Sequence, residues 1–161
     1  MAERLLPEET RKQLEQFFED MEPIKVIAVL DKEKPTCVYC EQIEQLLKEL
    51  AETSKGKIQV EFYTSKDKDI VEKYKVDDSP VIIVEGKNKG LIRYYGIPAE
   101  NEFGMFVETL KEMSLGHVHL PEEVIQEISK IEKPVRIRVF VTPQCPYCPM
   151  AAITAYHMAA L

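Results

Sequence analysis

Two Cys-x-x-Cys pairs, Cys37-Val38-Tyr39-Cys40 and Cys145-Pro146-Tyr147-Cys148, constrain this chain more than any other feature. They occupy equivalent points of an internal repeat. Pro7-Glu8-Glu9 returns as Pro121-Glu122-Glu123, Pro23-Ile24-Lys25-Val26-Ile27 as Pro134-Val135-Arg136-Ile137-Arg138, and Cys37/Cys40 as Cys145/Cys148, at offsets of 114, 111 and 108 residues. A constant order with small deletions is the mark of duplication. The second copy stops at Leu161, partway through the helix that follows its cysteines.

Hydrophobic periodicity places each pair between a strand and a helix. Leu14, Phe17, Phe18 and Met21 form an amphipathic stripe ending before Pro23, and Ile24 to Leu30 reads as a buried strand. Beyond Cys40 the stripe Ile43, Leu46, Leu47, Leu50 predicts a helix closed at Gly56. Ile58–Tyr63 alternates as a strand, and residues 66–75 form a short charged helix, its lysines a solvated face. Pro80–Val84 and Leu91–Tyr95 flank a glycine-bearing hairpin connection. Phe103, Phe106, Val107 and Leu110 mark a last helix that fades near Ser114 to Gly116. Residues 1–116 thus form a complete α/β unit, and 117–161 begin a second with a helix, a strand and part of a helix. Such a fragment cannot cover its own apolar faces, so it packs on the first unit or on another chain, which makes a homo-oligomer one expectation.

Composition narrows the function. With 161 residues the chain is one large domain or two small ones. Twenty-eight acidic against 21 basic residues give a net charge of -7, which repels phosphate backbones and excludes nucleic-acid binding by counterion release. No apolar run approaches the roughly 20 residues of a membrane span, and the charged N-terminus does not read as a signal peptide. These readings place the chain in the cytoplasm. In a reducing compartment paired cysteines are more often catalytic or metal-binding than structural. The Lys/Glu enrichment, with Asn only at 88 and 101, leans towards a thermophilic source.

A first cysteine at a helix N-terminus meets unpaired N–H groups and the positive end of the helix dipole, which favour thiolate over thiol. Each pKa unit of lowering is worth about 1.36 kcal/mol. A second sulfur one turn away can attack a mixed disulfide and release the product. Cys37 and Cys145 read as nucleophiles, Cys40 and Cys148 as the resolving thiols. Lys32 and Lys34 would add positive potential, offset by Asp31 and Glu33, and Asp31 is assigned no proton-transfer role. A four-cysteine zinc site is the competing reading, but its pairs usually lie about 15–20 residues apart, whereas 104 residues intervene here. A non-catalytic module that holds partners in a groove is a second alternative.

Strand, Cys-x-x-Cys, helix, strand, helix, Pro-led hairpin and final helix is the thioredoxin order, and Cys145-Pro146-Tyr147-Cys148 resembles the glutaredoxin motif. Two such units in tandem, with Thr142-Pro143-Gln144-Cys145-Pro146-Tyr147-Cys148-Pro149 in the second and Ile92-Arg93-Tyr94-Tyr95-Gly96-Ile97-Pro98-Ala99 before the first unit's last helix, closely resemble the protein disulfide oxidoreductases, or glutaredoxin-like proteins, of hyperthermophilic archaea and bacteria. The resemblance implies a thioredoxin fold of three α/β/α layers about a mixed sheet. It implies a cis Ser79–Pro80 bond facing the cysteines, with Ser79 offering backbone hydrogen bonds to an extended substrate and Pro80 beside it. It also implies thiol–disulfide exchange on protein disulfides and dithiols, recharging by a thioredoxin-reductase-like flavoprotein, and no cofactor beyond the redox-active disulfides. Tyr39 and Tyr147 flank the sulfurs. His117 and His119 read as a solvent-facing linker rather than metal ligands, and His157 as a packing or surface residue.

Overall fold

The computed structural model describes residues 3–161. Strand β1 (Ile24–Val29) lies at the centre of a four-stranded sheet of order β2-β1-β3-β4, formed with β2 (Ile58–Tyr63), β3 (Val81–Glu85) and β4 (Ile92–Tyr95). β1 runs parallel to β2 with Ile24 opposite Ile58, and antiparallel to β3 with Val29 opposite Val81. β4 closes the sheet antiparallel to β3, bringing Tyr95 opposite Val81.

The uninterrupted apolar run of β1 has a simple cause: side chains alternate across a strand, and here both faces are covered. Val26 and Ala28 join Ile82 and Val84 in the large core. That core also takes Phe18 from the end of α1 (Glu8–Phe17), Ile43, Leu47 and Leu50 from α2 (Cys40–Thr53), and Phe106 and Leu110 from α4 (Asn101–Leu115). Ile27, Val29, Val81 and Ile83 face the other way, onto a smaller cluster with Tyr74, just beyond α3 (Lys68–Lys73). The result is the three-layer thioredoxin fold.

The C-terminal part lies on α4. Helix α5 (Glu122–Ser129) starts after Pro121 as α1 starts after Pro7, each with two glutamates in its first turn. The strand expected at 134–138 does not form: residues 131–142 take neither helix nor strand and form no ladder with the sheet. They pair with neither edge strand, β2 or β4, so Val135 and Phe140 remain exposed and backbone groups are left to solvent. Arg136 and Arg138 anchor the segment by pairing with Asp77 at 3.1 and 3.6 Å.

Helix α6 (Cys148–Ala160) packs along α4, with Ala152 in the main core. Its far end is closed by the β3–β4 loop: the N–H groups of Lys89 and Gly90 donate to the carbonyls of Ala160 and Ala159 at 3.2 and 2.7 Å, satisfying acceptors that a helix C-terminus cannot satisfy itself. Beside them His157 is buried, its Nδ1 accepting the N–H of His119 at 3.2 Å and its Nε2 bonded to Glu112. His157 is thus a packing residue, as its sequence context implied.

A Cβ at Gly90 would lie 2.7 Å from the Ala159 carbonyl oxygen, whereas one at Gly104, within α4, would meet nothing within 4 Å. Gly90→Ala should therefore destabilise the α6 seat by roughly 1–3 kcal/mol, read as faster amide exchange at Lys89 and Gly90. Gly104→Ala should stabilise the protein by about 0.5–1 kcal/mol, read as a higher urea midpoint.

Candidate functional site

The first cysteine pair sits where β1 has ended and α2 begins. A turn follows Asp31, whose carbonyl accepts the Lys34 N–H at 3.0 Å, and the Lys34 carbonyl in turn accepts the Cys37 N–H at 3.0 Å. Cys40 is the first residue of α2 and Tyr39 its N-cap, so the first-turn N–H groups point towards the sulfurs without carbonyl partners in the helix. Cys37 and Cys40 form a disulfide with Cα atoms 5.2 Å apart. Cys37 is 8% exposed and Cys40 only 1%, so both are buried and Cys37 is the more accessible of the two. Tyr39 and Val38 project into solvent beside them.

The second pair repeats this construction. Cys148 opens α6, Tyr147 is its N-cap, and Cys145–Cys148 is a disulfide with Cα atoms 5.5 Å apart. Pro146 lies between the sulfurs, and Pro149, in the first turn, suits a place where a missing N–H costs nothing. Tyr147 is exposed. The Cys145 N–H donates to the Thr142 carbonyl at 3.1 Å, and the Asn101 N–H, at the start of α4, donates to the Pro143 carbonyl at 3.2 Å. α4 and α6 thus start together, and α6 ends at the β3–β4 loop, so both pairs open at the same end of the sheet. The four sulfurs are joined as two separate pairs. Among the described residues no group of three or more His, Cys, Asp or Glu could hold a metal ion.

The peptide bond between Ser79 and Pro80 is cis. The Pro80 carbonyl accepts the Gly96 N–H at 3.2 Å, tying this turn to the end of β4. Ser79 is buried, and its hydroxyl donates to Asp31 at 2.5 Å. Asp31 has no exposed surface. It also accepts the N–H and hydroxyl of Ser65, each at 2.9 Å, and pairs with Lys34 at 3.4 Å. Burial pushes its pKa up, but the bonds from Ser79, Ser65 and Lys34 outweigh that cost and hold it at about 2. Lys34 is thereby committed to Asp31, and Lys32 to Glu44, so neither is a free charge for Cys37.

Two features escape a reading of the sequence alone. The Asp31–Ser79 bond spans 48 residues, and nothing local announces it. Glu102, in the first turn of α4, is fully buried and neither carboxylate oxygen has a hydrogen-bond partner; burial raises its pKa. Its charge bears on Tyr94 of β4 and Tyr156 of α6. One signal existed for Glu102: a glutamate at the height of the apolar stripe Phe103, Phe106. His119 lies on an exposed linker, as its sequence context implied, and its Nε2 is 3.1 Å from Glu112.

Comparison with known proteins agrees with the geometry. A thioredoxin domain model matches residues 24–108, and the chain belongs to this family. Its structure is similar to that of a protein disulfide oxidoreductase from Aeropyrum pernix K1, with a TM-score of 0.84 and 27% identity over 95% of this chain and 67% of that one. It shares its fold with the alkylhydroperoxide reductase AhpF from Enterococcus faecalis, with a TM-score of 0.78 and 19% identity over 98% of this chain and 75% of that one. No curated protein matches the chain.

Because the folded pKa of Asp31 lies below its unfolded value of about 3.9, its contribution to stability is present above that value and lost as pH falls towards about 2. The stability advantage of the native protein over Asp31→Asn should be largest at pH 5–7, near about 2 kcal/mol, and should shrink steadily between about pH 4 and pH 2 in urea titrations.

Proposed function

We propose that the chain is a protein thiol–disulfide oxidoreductase built of two thioredoxin-like units, 1–116 complete and 117–161 partial, each carrying one redox pair. The observation that carries this reading is the placement of two Cys-x-x-Cys disulfides at helix N-termini of a thioredoxin fold, one with a nearly buried second sulfur. The similarity to the Aeropyrum protein disulfide oxidoreductase supports it. In the reducing direction the thiolate of Cys37 attacks a substrate disulfide, expelling one substrate sulfur as a thiolate that takes up a proton. Cys40, losing its proton, then attacks the mixed disulfide, so that the Cys37–Cys40 bond forms and the second substrate thiol leaves. Two electrons pass to the substrate, and a thioredoxin-reductase-like flavoprotein returns them. The disulfides are the only redox groups the cycle needs. Cys145 and Cys148 act in the same way.

The two pairs differ in their buried acids. Asp31 lies six residues before Cys37, whereas Val139 stands six before Cys145. Glu102 stands at the start of α4 beside Asn101, whose N–H is bonded to the Pro143 carbonyl in the loop before the second pair, and its charge is felt by Tyr156 of α6. We read this buried carboxyl, without a hydrogen-bond partner and with its pKa raised by burial, as the proton-exchanging group of the second unit.

Cys37→Ser combined with Cys145→Ser should abolish dithiothreitol-driven reduction of insulin, and undiminished turnover would refute the enzyme reading. In a Cys37→Ser background, Glu102→Gln should lower the remaining turnover about 10-fold or more and flatten its rise with pH. The exposed apolar residues of 131–142 should also favour self-association, seen as a concentration-dependent mass in light scattering.

A further inference from the structure

The bonding around Asp31 is difficult to reconcile with a carboxylate that exchanges protons. An ionised carboxylate offers about four lone-pair sites. In this protein three of them are taken by hydrogen bonds, from the Ser65 N–H and hydroxyl to Oδ1 and from the Ser79 hydroxyl to Oδ2, and the Lys34 ammonium pairs with Oδ2 at 3.4 Å. Both oxygens are thus engaged before any thiol approaches, and these contacts keep the group ionised at neutral pH.

The same four groups come from three separate segments. Lys34 belongs to the loop that carries Cys37, and its carbonyl holds the Cys37 N–H. Ser65 lies just beyond β2. Ser79 forms the cis turn whose Pro80 carbonyl holds Gly96. One buried anion therefore joins the nucleophile loop to the strand-like turn on which an extended substrate would be laid. Moving either loop would strand a buried charge or a buried hydroxyl, each of which is unstable away from water without its partner.

We propose that Asp31 is a positioning residue. Acting through Ser79 and Lys34, it fixes the spacing between Cys37 and the Ser79–Pro80 backbone. This rests on the oxidoreductase reading and adds to it the group that holds the substrate turn in place. The role differs from that of Glu102, whose carboxyl has no partner and is available for a proton.

Two substitutions and their combination separate the possibilities, each made in a Cys145→Ser, Cys148→Ser background so that only the first pair works. Ser79→Ala removes one hydroxyl and keeps the charge; Asp31→Asn removes the charge. With insulin as substrate, each should raise KM about 5- to 10-fold while kcat changes less than about 2-fold, because each loosens the turn without touching sulfur. The double variant should be no worse than Asp31→Asn alone, since the Ser79 bond to the carboxylate is already lost there. Ser79→Thr, which keeps the hydroxyl, should restore the parent KM. Multiplying losses, or a fall in kcat with a shifted pH profile of Cys37 alkylation in Asp31→Asn alone, would overturn the proposal and return Asp31 to proton transfer. Amide exchange at Gly96 reads the same turn without turnover. It should accelerate in Ser79→Ala and not in Ser79→Thr, and equal exchange in both would refute the positioning role. A parent protein that reduces no insulin would instead refute the oxidoreductase reading, and the Gly96 result would still decide the role of Asp31.

Discussion

Everything at the working end of this molecule depends on how β1 ends. The strand is apolar on both faces because it is covered on both, and at Leu30 that cover gives way to a single buried charge, Asp31. A carboxylate in such a place is unstable unless it is fully hydrogen-bonded. The donors that satisfy it come from the loop before Cys37, the segment after β2 and the turn before β3. Satisfying one ion thus brings together loops that are distant in sequence, and the substrate turn and the nucleophile loop share a common fastening. The same demand explains why the fold tolerates the charge: removing any one donor would cost more than the bond itself contributes.

The attachment of the C-terminal part obeys a different rule. α6 is rich in alanine and buries modest side chains, so its hold on α4 depends on its ends. At the near end the Asn101 N–H donates to the Pro143 carbonyl, and at the far end the β3–β4 loop caps Ala159 and Ala160 while His157 closes on Glu112. These contacts keep α6 parallel to α4 and set both cysteine pairs at one end. At the near end, beside Asn101, Glu102 is buried without a hydrogen-bond partner, whereas Asp31 is bonded on both oxygens. The two acids resemble each other in burial and differ in bonding, and bonding decides whether a proton can move.

Much of this was legible in the sequence because it is written locally. Periodicity located β1, α2, β3, β4 and α4, since each buries a continuous face, and the cysteine spacing placed the sulfurs at helix starts. The resemblance supplied the cis bond at Ser79–Pro80, which local pattern alone does not give. Periodicity misleads at 134–138. Val135-Arg136-Ile137-Arg138 alternates as a strand should, yet alternation records only what a segment would bury, and a strand needs a neighbouring edge to hydrogen-bond. β1 already has β2 on one side and β3 on the other, and the segment joins neither of the outer strands. The Asp31–Ser79 bond was invisible for the opposite reason: its partners are ordinary residues whose meaning arises only when the sheet brings them together.

The contrast between those two cases bears on specificity. The two Cys-x-x-Cys pairs share the same place at a helix start and differ in what surrounds them. What distinguishes the first is a turn, Ser79–Pro80, fastened to its loop by the buried Asp31 carboxylate, which takes two serine hydroxyls and the partly exposed Lys34. The second has exposed chain in the 131–142 segment, without a ladder to make it rigid. A turn held by several hydrogen bonds leaves less ordering for a bound peptide to undergo, which under the proposed function would favour discrimination by shape at the first site. Along the chain on either side of the second pair, Phe140 and Met150 are exposed, so that pair is flanked by loose apolar side chains rather than by a fastened turn. Two copies of one motif have in this way come to differ through what surrounds the sulfurs rather than through the sulfurs themselves.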